Sequence, residues 1–171
     1  IYGYNNVDIT TTLHSSIITK GAEDKSHKLQ NIISEQLVGC GFNEILNNSL
    51  TASAYYDELE SFKSENLVRL MNPLSNDLNV LRQTILFGGL ESLQRNINRK
   101  FTDLSFFEFG NTYRFDADKR VEDKILSPYS ESYHLGLWMT GNNVAASWIE
   151  QGRQLSVYDL KAIVEHIFDR L

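Results

Sequence analysis

Three strand-like segments follow one another in the second half of the chain, with no helical segment between them. They cover residues 104–109, 111–115 and 133–140 and are rich in aromatic residues, and a charged loop with a proline, residues 116–132, precedes the last of them. Strands in direct succession pair antiparallel, whereas a doubly wound fold needs a helix after each strand. The succession therefore predicts an antiparallel sheet and excludes a doubly wound fold.

Helical segments with an apolar stripe lie on either side of these strands in the sequence. In the first, residues 25–38, Leu29, Ile33 and Leu37 recur at helical spacing, and two glycines follow its end. The second covers residues 86–98, and the third, residues 157–171, begins with Ser156 and Asp159 in the arrangement of a capping box. Helices and strands together predict an α+β fold, an antiparallel sheet flanked by helices.

The remaining segments are shorter. Residues 42–50 and 67–71 are predicted as strands, the second of them ending before Pro73, and a short helix is predicted after Thr51. Residues 1–21 combine turn formers with threonine and serine and are predicted to form a connecting arm. The folded module is therefore expected to cover residues 22–171.

Composition excludes several classes of protein. The 171 residues include 16 lysines and arginines against 22 acidic residues, and the net charge of −6 argues against a nucleic-acid-binding surface over the whole molecule. The single cysteine, Cys40, allows no internal disulfide and no multi-cysteine zinc site, and the histidines lack the spacing of a metal site. No apolar stretch could span a membrane and the first residues do not resemble a signal peptide, so we expect a cytoplasmic protein with no membrane partner.

Three local features bear on function. Arg95, Arg99 and Lys100 cluster at the end of the second helix, where positive charge complements the helix dipole and could equally contact RNA phosphates. Glu108 lies within an aromatic strand and needs a partner if it is buried. A third feature, the Gly88-Gly89 pair inside a helix, favours close helix packing over phosphate binding.

Six short motifs follow one another along the chain: Asn72-Pro73-Leu74-Ser75, Leu81-Arg82-Gln83-Thr84, Gly88-Gly89-Leu90, Asn96, Phe107-Glu108-Phe109-Gly110 and Tyr158-Asp159-Leu160-Lys161. In this order they resemble the bacterial family of phenylalanine-tRNA ligase beta subunits. The opening residues 1–5 resemble the run that closes a helix-turn-helix-like module in that family, so the resemblance covers essentially the whole chain. It implies that residues 1–21 follow such a module and that residues 22–171 are a class II synthetase-like module truncated at its C-terminal end.

The resemblance also implies a function. In this family the module is a catalytically silent relative of the alpha subunit's active domain. Two alpha and two beta subunits form a heterotetramer that charges phenylalanine tRNA with the help of ATP and Mg²⁺. We therefore expect this chain to bind neither cofactor itself and to support charging through assembly with the alpha subunit and positioning of the tRNA.

The same resemblance implies roles for individual residues. The helix of residues 25–38 with the strand of residues 42–50 corresponds to the first class II motif, whose helix packs at the subunit interface, so Leu29, Ile33 and Leu37 are candidate interface residues. The strands of residues 107–115 and 133–140 correspond to the second motif, and Arg114 stands where its ATP-binding arginine would stand. The returning strand offers apolar residues in place of the acids or amides that adenylation needs, and the third motif would lie beyond Leu171. We therefore expect no catalytic residue and no metal ligand.

Two other functions remain open at this point. One is a stand-alone, active class II-like ligase that binds ATP through Arg114, for which saturable ATP binding lost in Arg114→Ala would be the sign. The other is a tRNA-binding module that uses Arg95, Arg99 and Lys100, for which binding should weaken steeply with salt.

Overall fold

A computed structural model describes Thr12 and residues 21–144 and 146–171. Contacts divide the chain into two units, residues 1–32 and residues 33–171. The described part of the first unit consists mainly of the beginning of helix α1 (Ala22–Gly39), which extends slightly beyond the predicted residues 25–38 at both ends. The predicted connecting arm of residues 1–21 lies outside the described residues except for Thr12 and Gly21.

Helix α1 ends in a turn that requires a glycine. Gly41 has a φ of +88°, and the Phe42 N–H donates to the Leu37 carbonyl oxygen at 3.0 Å across that turn. This is the hydrogen bond of a glycine-terminated helix, and residues with a Cβ adopt this backbone conformation rarely. The glycines after residue 38 therefore mark the helix end because Gly41 can adopt the positive φ that this turn requires.

The main sheet has the strand order β1-β5-β6. Strands β5 (Leu104–Phe115) and β6 (Tyr129–Thr140) pair antiparallel in an unbroken register, and the short strand β1 (Asn43–Glu44) pairs parallel to β5. The prediction of antiparallel strands flanked by helices is confirmed. Two predicted strands form the single strand β5, and β6 begins inside the predicted loop of residues 116–132 because residues 129–132 continue the ladder.

Each face of the main sheet has its own apolar core. On one face, Phe107 packs with Ile33, Leu37, Phe42 and with Ile167 of helix α3 (Val157–Arg170). On the opposite face, helix α2 (Leu86–Ile97) and the residue before it supply Leu93 and Ile85, which pack with Phe106 and Trp138.

The contact between α2 and this sheet face depends on a glycine. A Cβ built on Gly89 would lie 2.0 Å from Cε2 of Trp138, which is far inside van der Waals contact. The prediction that the glycine pair serves close packing is confirmed at this position.

A second, smaller sheet has the order β2-β4-β3 and is entirely antiparallel. Its strands are β2 (Leu50–Thr51), β3 (Val68–Arg69) and β4 (Val80–Leu81), joined by the 3₁₀ turns Ser53–Tyr56, Ser64–Asn66 and Asn76–Leu78. The predicted single strand of residues 42–50 is therefore wrong, because its two ends belong to different sheets. The predicted strand of residues 67–71 shortens to β3, and the short helix after Thr51 is a 3₁₀ turn.

A small hairpin leads into the last helix. Strands β7 (Asn142–Val144) and β8 (Arg153–Gln154) pair antiparallel, and the Asp159 carboxylate of α3 accepts hydrogen bonds from the Arg153 guanidinium at 2.8 Å and the Ser156 N–H at 2.8 Å. These donors, Arg153 first, hold the pKa of Asp159 well below its usual range. The predicted start of the helix at Ser156 is confirmed. Among the described helices, none is both long and apolar enough to cross a membrane.

Candidate functional site

A buried ion pair lies between the main sheet and the residues that follow β4. The Arg82 Nη1 donates to Glu108 Oε1 at 2.7 Å, and the two side chains are 5% and 0% exposed. The Arg82 Nε also donates to the Asn111 carbonyl oxygen at 2.9 Å. Glu108 thus has the partner that its burial requires, and both charges are hydrogen-bonded.

Two further residues join the pair to the loop after β1 and to helix α2. Asn47 donates its side-chain N–H to Glu108 Oε2 at 2.7 Å and its backbone N–H to Oε1 at 3.3 Å, and the Ser92 hydroxyl donates to Asn47 Oδ1 at 2.8 Å. The network fixes Asn47 in the loop between β1 and β2, where a continuous strand was predicted. The position of Arg82 also requires a residue without a side chain at position 110, because a Cβ on Gly110 would lie 2.1 Å from Arg82 Nη2.

Arg114 lies further along the same face of β5, since it is separated from Glu108 by an even number of residues. The register places Ser130 opposite Arg114 and Ser132 opposite Thr112, so the guanidinium shares its face with three hydroxyl groups. These four residues line a cleft of about 170 Å³ together with Ser61, Phe62, Asn66, Gln83 and Tyr113. No carboxylate is among the described residues that line it.

The rest of this sheet face is filled by the chain's own side chains. Arg82 covers Gly110, Glu108 is fully buried, and Trp138 packs between Gly89 of helix α2 and Gly136 of β6, where a Cβ would meet its ring at 2.4 Å. Trp138 itself is 6% exposed. At the Arg114 end of this face, the open space is thus the cleft of about 170 Å³.

A larger cleft of about 440 Å³ lies beside helix α2, with Arg82 and Asn47 among its lining residues. Across it the Tyr55 hydroxyl donates to Glu91 Oε1 at 2.6 Å, and the Tyr55 ring stacks on Phe87 with a centroid distance of 5.0 Å. The hydrogen bond to Glu91 is the main reason that the pKa of Tyr55 is raised. The contact links helix α2 to the turn after β2.

The predicted interface stripe on α1 divides between core and surface. Ile33 is 7% exposed and Leu37 is 0% exposed, and both pack in the core around Phe107. Leu29 is 45% exposed. A side chain with no accessible surface cannot contact a second protein, so Leu29 is the stripe residue that retains surface for a partner.

The basic cluster lies at the exposed end of α2. Arg95, Arg99 and Lys100 are all exposed, and within the described part of the chain none of them forms an ion pair with an acidic residue. Lys100 has a φ of 73°, and the N–H of Phe101 donates to the Asn96 carbonyl oxygen at 3.1 Å, which closes the helix end. The cluster is accessible, as a contact to RNA phosphates would require.

Metal binding has no support among the described residues. They contain no group of three or more histidine, cysteine, aspartate or glutamate side chains that could hold a metal ion. The buried Glu108 is already bound by Arg82 and Asn47.

Solved structures with this fold identify its class. The chain aligns with a pyrrolysyl-tRNA synthetase from Desulfitobacterium hafniense at a TM-score of 0.56 and 17% identity, covering 85% of this chain and 44% of the other. It also aligns with an ATP phosphoribosyltransferase regulatory subunit/histidyl-tRNA synthetase from Bacillus halodurans at a TM-score of 0.61 and 14% identity, covering 96% of this chain and 39% of the other. The fold is therefore that of class II aminoacyl-tRNA synthetases.

Sequence comparison narrows the class to one family. Residues 9–171 match the family described as the phenylalanyl tRNA synthetase beta chain CLM domain. The chain is 67% identical to the phenylalanine-tRNA ligase beta subunit of Bacteroides fragilis, 49% to that of Porphyromonas gingivalis and 34% to that of Clostridium acetobutylicum, over its full length in each case. The chain belongs to this family of beta subunits, and it spans about one fifth of the length of these relatives.

Proposed function

We propose that this chain is a catalytically silent synthetase-like module that supports the charging of phenylalanine tRNA through subunit assembly and tRNA positioning. The observation that carries the proposal is the filling of the sheet face described above. Arg82, Glu108 and Trp138 cover the strands next to Arg114, and the cleft that remains beside that arginine, about 170 Å³, is too small to hold a nucleotide together with an amino acid. An active site must keep such space open for the reacting groups.

The chemistry then belongs to a partner. We propose that an alpha subunit binds ATP and Mg²⁺ and charges the tRNA in the cytoplasm, in a heterotetramer of two alpha and two beta subunits. This chain supplies no catalytic residue and no metal ligand to that reaction. Its family membership supports the choice of partner.

The surface of the chain supports an assembly role. Several large apolar side chains are at least 70% exposed, and a partner that covered them would remove this apolar surface from water. They are Leu46, Met71, Leu74, Ile125, Leu126, Trp148, Ile149, Val157, Tyr158 and Phe168. Leu29 adds an exposed leucine on helix α1, the helix for which we propose an interface role.

The test is co-purification with a phenylalanine-tRNA ligase alpha subunit, followed by light scattering to measure the mass of the complex. We expect a stable complex that Leu29→Asp weakens and that Leu90→Asp leaves intact, because Leu90 lies on helix α2 and is exposed to the same degree, 46% against 45%. Circular dichroism checks that both variants are folded. Equal complex formation by the two variants would contradict the role of α1, and no complex with the wild-type chain would contradict the proposal.

A second candidate role, contact with tRNA, is favoured by the basic cluster at the end of α2. Arg95, Arg99 and Lys100 are exposed cations without acidic partners in the described residues, as phosphate contacts require. Arg99→Ala should weaken tRNA binding and lower the slope of log K against log salt by about one unit for each phosphate that the variant no longer neutralises. An unchanged slope would remove Arg99 from the interface.

A further inference from the structure

We propose that the outward face of helix α3 forms a weak two-fold contact with a second copy of the chain, in which the two α3 helices run antiparallel. The outward face consists of Tyr158, Lys161, Glu165 and Phe168. The contact lies on α3 and not on α1, so it is independent of the proposed assembly with an alpha subunit. Three features of the face support the contact: its exposure, the order of its charges and rings, and its size.

Helix α3 uses only one side for the chain's own fold. Ile163 and Ile167 pack in the core around Phe107, whereas Tyr158 and Phe168 are 75% and 70% exposed. At 3.6 residues per turn, the four outward-face residues fall within an arc of about 80°. Their spacing of three, four and three positions is that of the contact line between paired helices. The side of α3 that could pair with another helix is therefore open to solvent in the described part of the chain.

The motif Tyr158-Asp159-Leu160-Lys161 divides between the two sides of the helix. Asp159 accepts the hydrogen bonds that close the helix start, and Leu160 is half-buried. The Lys161 side chain is 64% exposed, and its ionic partner among the described residues is the equally exposed Glu165, at 3.4 Å. An exposed pair of this kind adds little to stability. The chain's own fold thus accounts for two of the four motif residues and leaves Tyr158 and Lys161 accessible to a partner.

The order of residues along the outward face is self-complementary. Both of its pairs are centred on position 163: Lys161 and Glu165 lie two positions to either side of it, and Tyr158 and Phe168 lie five positions to either side. When two copies of α3 pair antiparallel about a two-fold axis at that position, each Lys161 lies opposite a Glu165 and each Tyr158 lies opposite a Phe168. Opposite charges at such positions set partner and orientation, and aromatic pairs add attraction.

The same charges argue against other arrangements. A parallel pair would place Lys161 opposite Lys161 and Glu165 opposite Glu165, and like charges at an interface are unfavourable. An unrelated partner would require no such symmetry in this chain. Charge complementarity therefore favours a second copy, paired antiparallel, as the occupant of the face.

The size of the face predicts a weak contact. Helix α3 has 14 residues and is therefore about 21 Å long. One helix of this length from each copy covers less than the roughly 1,200 Å² of a stable interface, so the dissociation constant should lie between about 10 µM and 1 mM. The chain should therefore be monomeric when dilute and dimeric when concentrated.

The experiment is sedimentation equilibrium of the full chain, combined with an NMR dilution series, over concentrations that bracket this range. The average mass should rise from 19.6 kDa toward twice that value as the concentration increases. The backbone amide signals that shift on dilution should be mainly those of residues 157–170.

A charge swap tests the antiparallel register. Lys161→Glu places like charges opposite each other twice in the dimer and should raise the dissociation constant about tenfold or more. Adding Glu165→Lys restores opposite charges and should return the constant to within about threefold of the wild type. The double variant has glutamate before lysine at i,i+4, the favoured orientation in a helix, so α3 should stay folded.

Two further variants separate the face from general effects of charge and folding. Lys124→Glu makes the same charge change at an exposed lysine outside α3 and should leave the association unchanged. Phe168→Ser should weaken the association about tenfold or more without unfolding the chain, because the ring is 70% exposed. Circular dichroism checks that every variant is folded.

Four results would overturn the proposal. They are a mass of 19.6 kDa at every concentration, equal effects of Lys161→Glu and Lys124→Glu, a charge swap that associates no better than Lys161→Glu alone, and dilution shifts located away from α3. A chain that is monomeric alone but loses binding to an alpha subunit on Lys161→Glu would assign the face to that subunit instead.

Discussion

Replacing Glu108 with glutamine should strongly destabilise the chain. The substitution keeps the shape of the side chain but leaves the Arg82 guanidinium buried, with 5% of its side chain exposed and no negative partner. Removing one partner of a buried ion pair costs about 3–5 kcal/mol. At roughly 3 °C per kcal/mol for a chain of this size, the melting temperature should fall by about 9–15 °C.

The assay is urea denaturation followed by circular dichroism, with Glu165→Gln as the control. Glu165 is exposed and, among the described residues, forms an ion pair only with Lys161, at 3.4 Å, so its loss should change the free energy of unfolding by no more than about 0.5 kcal/mol. The double variant Arg82→Met/Glu108→Leu removes both charges and should be less destabilised than Glu108→Gln alone. A Glu108→Gln variant within about 1 kcal/mol of the wild type would refute the assignment of a stability role to the pair.

Three further predictions concern stability. Gly89→Ala should cost about 1–3 kcal/mol in urea denaturation, because the new Cβ would overlap the Trp138 ring, whereas Gly39→Ala, which meets nothing within 4 Å, should cost nothing. Lys100→Gly should raise the free energy of unfolding by up to about 1 kcal/mol, because glycine tolerates the φ of 73° at that position; a loss would contradict this. Because the pKa of Asp159 is lowered in the folded chain, its contribution is complete above about pH 4 and is lost as the pH falls further, so thermal melts of Asp159→Asn should depend less on pH below that value than those of the wild type.

The sequence predicts the helices and long strands correctly where a pattern within the segment itself is sufficient. The leucines and isoleucines of α1 and α2 recur at helical spacing, and the aromatic residues of β5 favour a strand. Glu108 illustrates the limit of such reasoning. Its need for a partner follows from the apolar strand around it, but Arg82 lies 26 positions away and no local pattern connects the two.

The predictions that fail depend on contacts distant in sequence. Residues 42–50 alternate only imperfectly and are predicted as a strand from their position between a glycine and Thr51, yet Asn47 binds Glu108, 61 positions away, between β1 and β2. An apolar stripe on a helix does not say whether it faces the chain's own core or a partner. Only the packing of Ile33 and Leu37 against Phe107 distinguishes these positions from Leu29.

The central claim is that the sheet face beside Arg114 is not a nucleotide site. Equilibrium binding of ATP, tripolyphosphate and adenosine to the full chain tests it most directly. We predict that adenosine does not bind and that ATP binds no more tightly than tripolyphosphate, because the cleft of about 170 Å³ beside Arg114 has no room for a nucleoside. Saturable binding of adenosine, or ATP binding much tighter than that of tripolyphosphate, would contradict it and indicate a working active site.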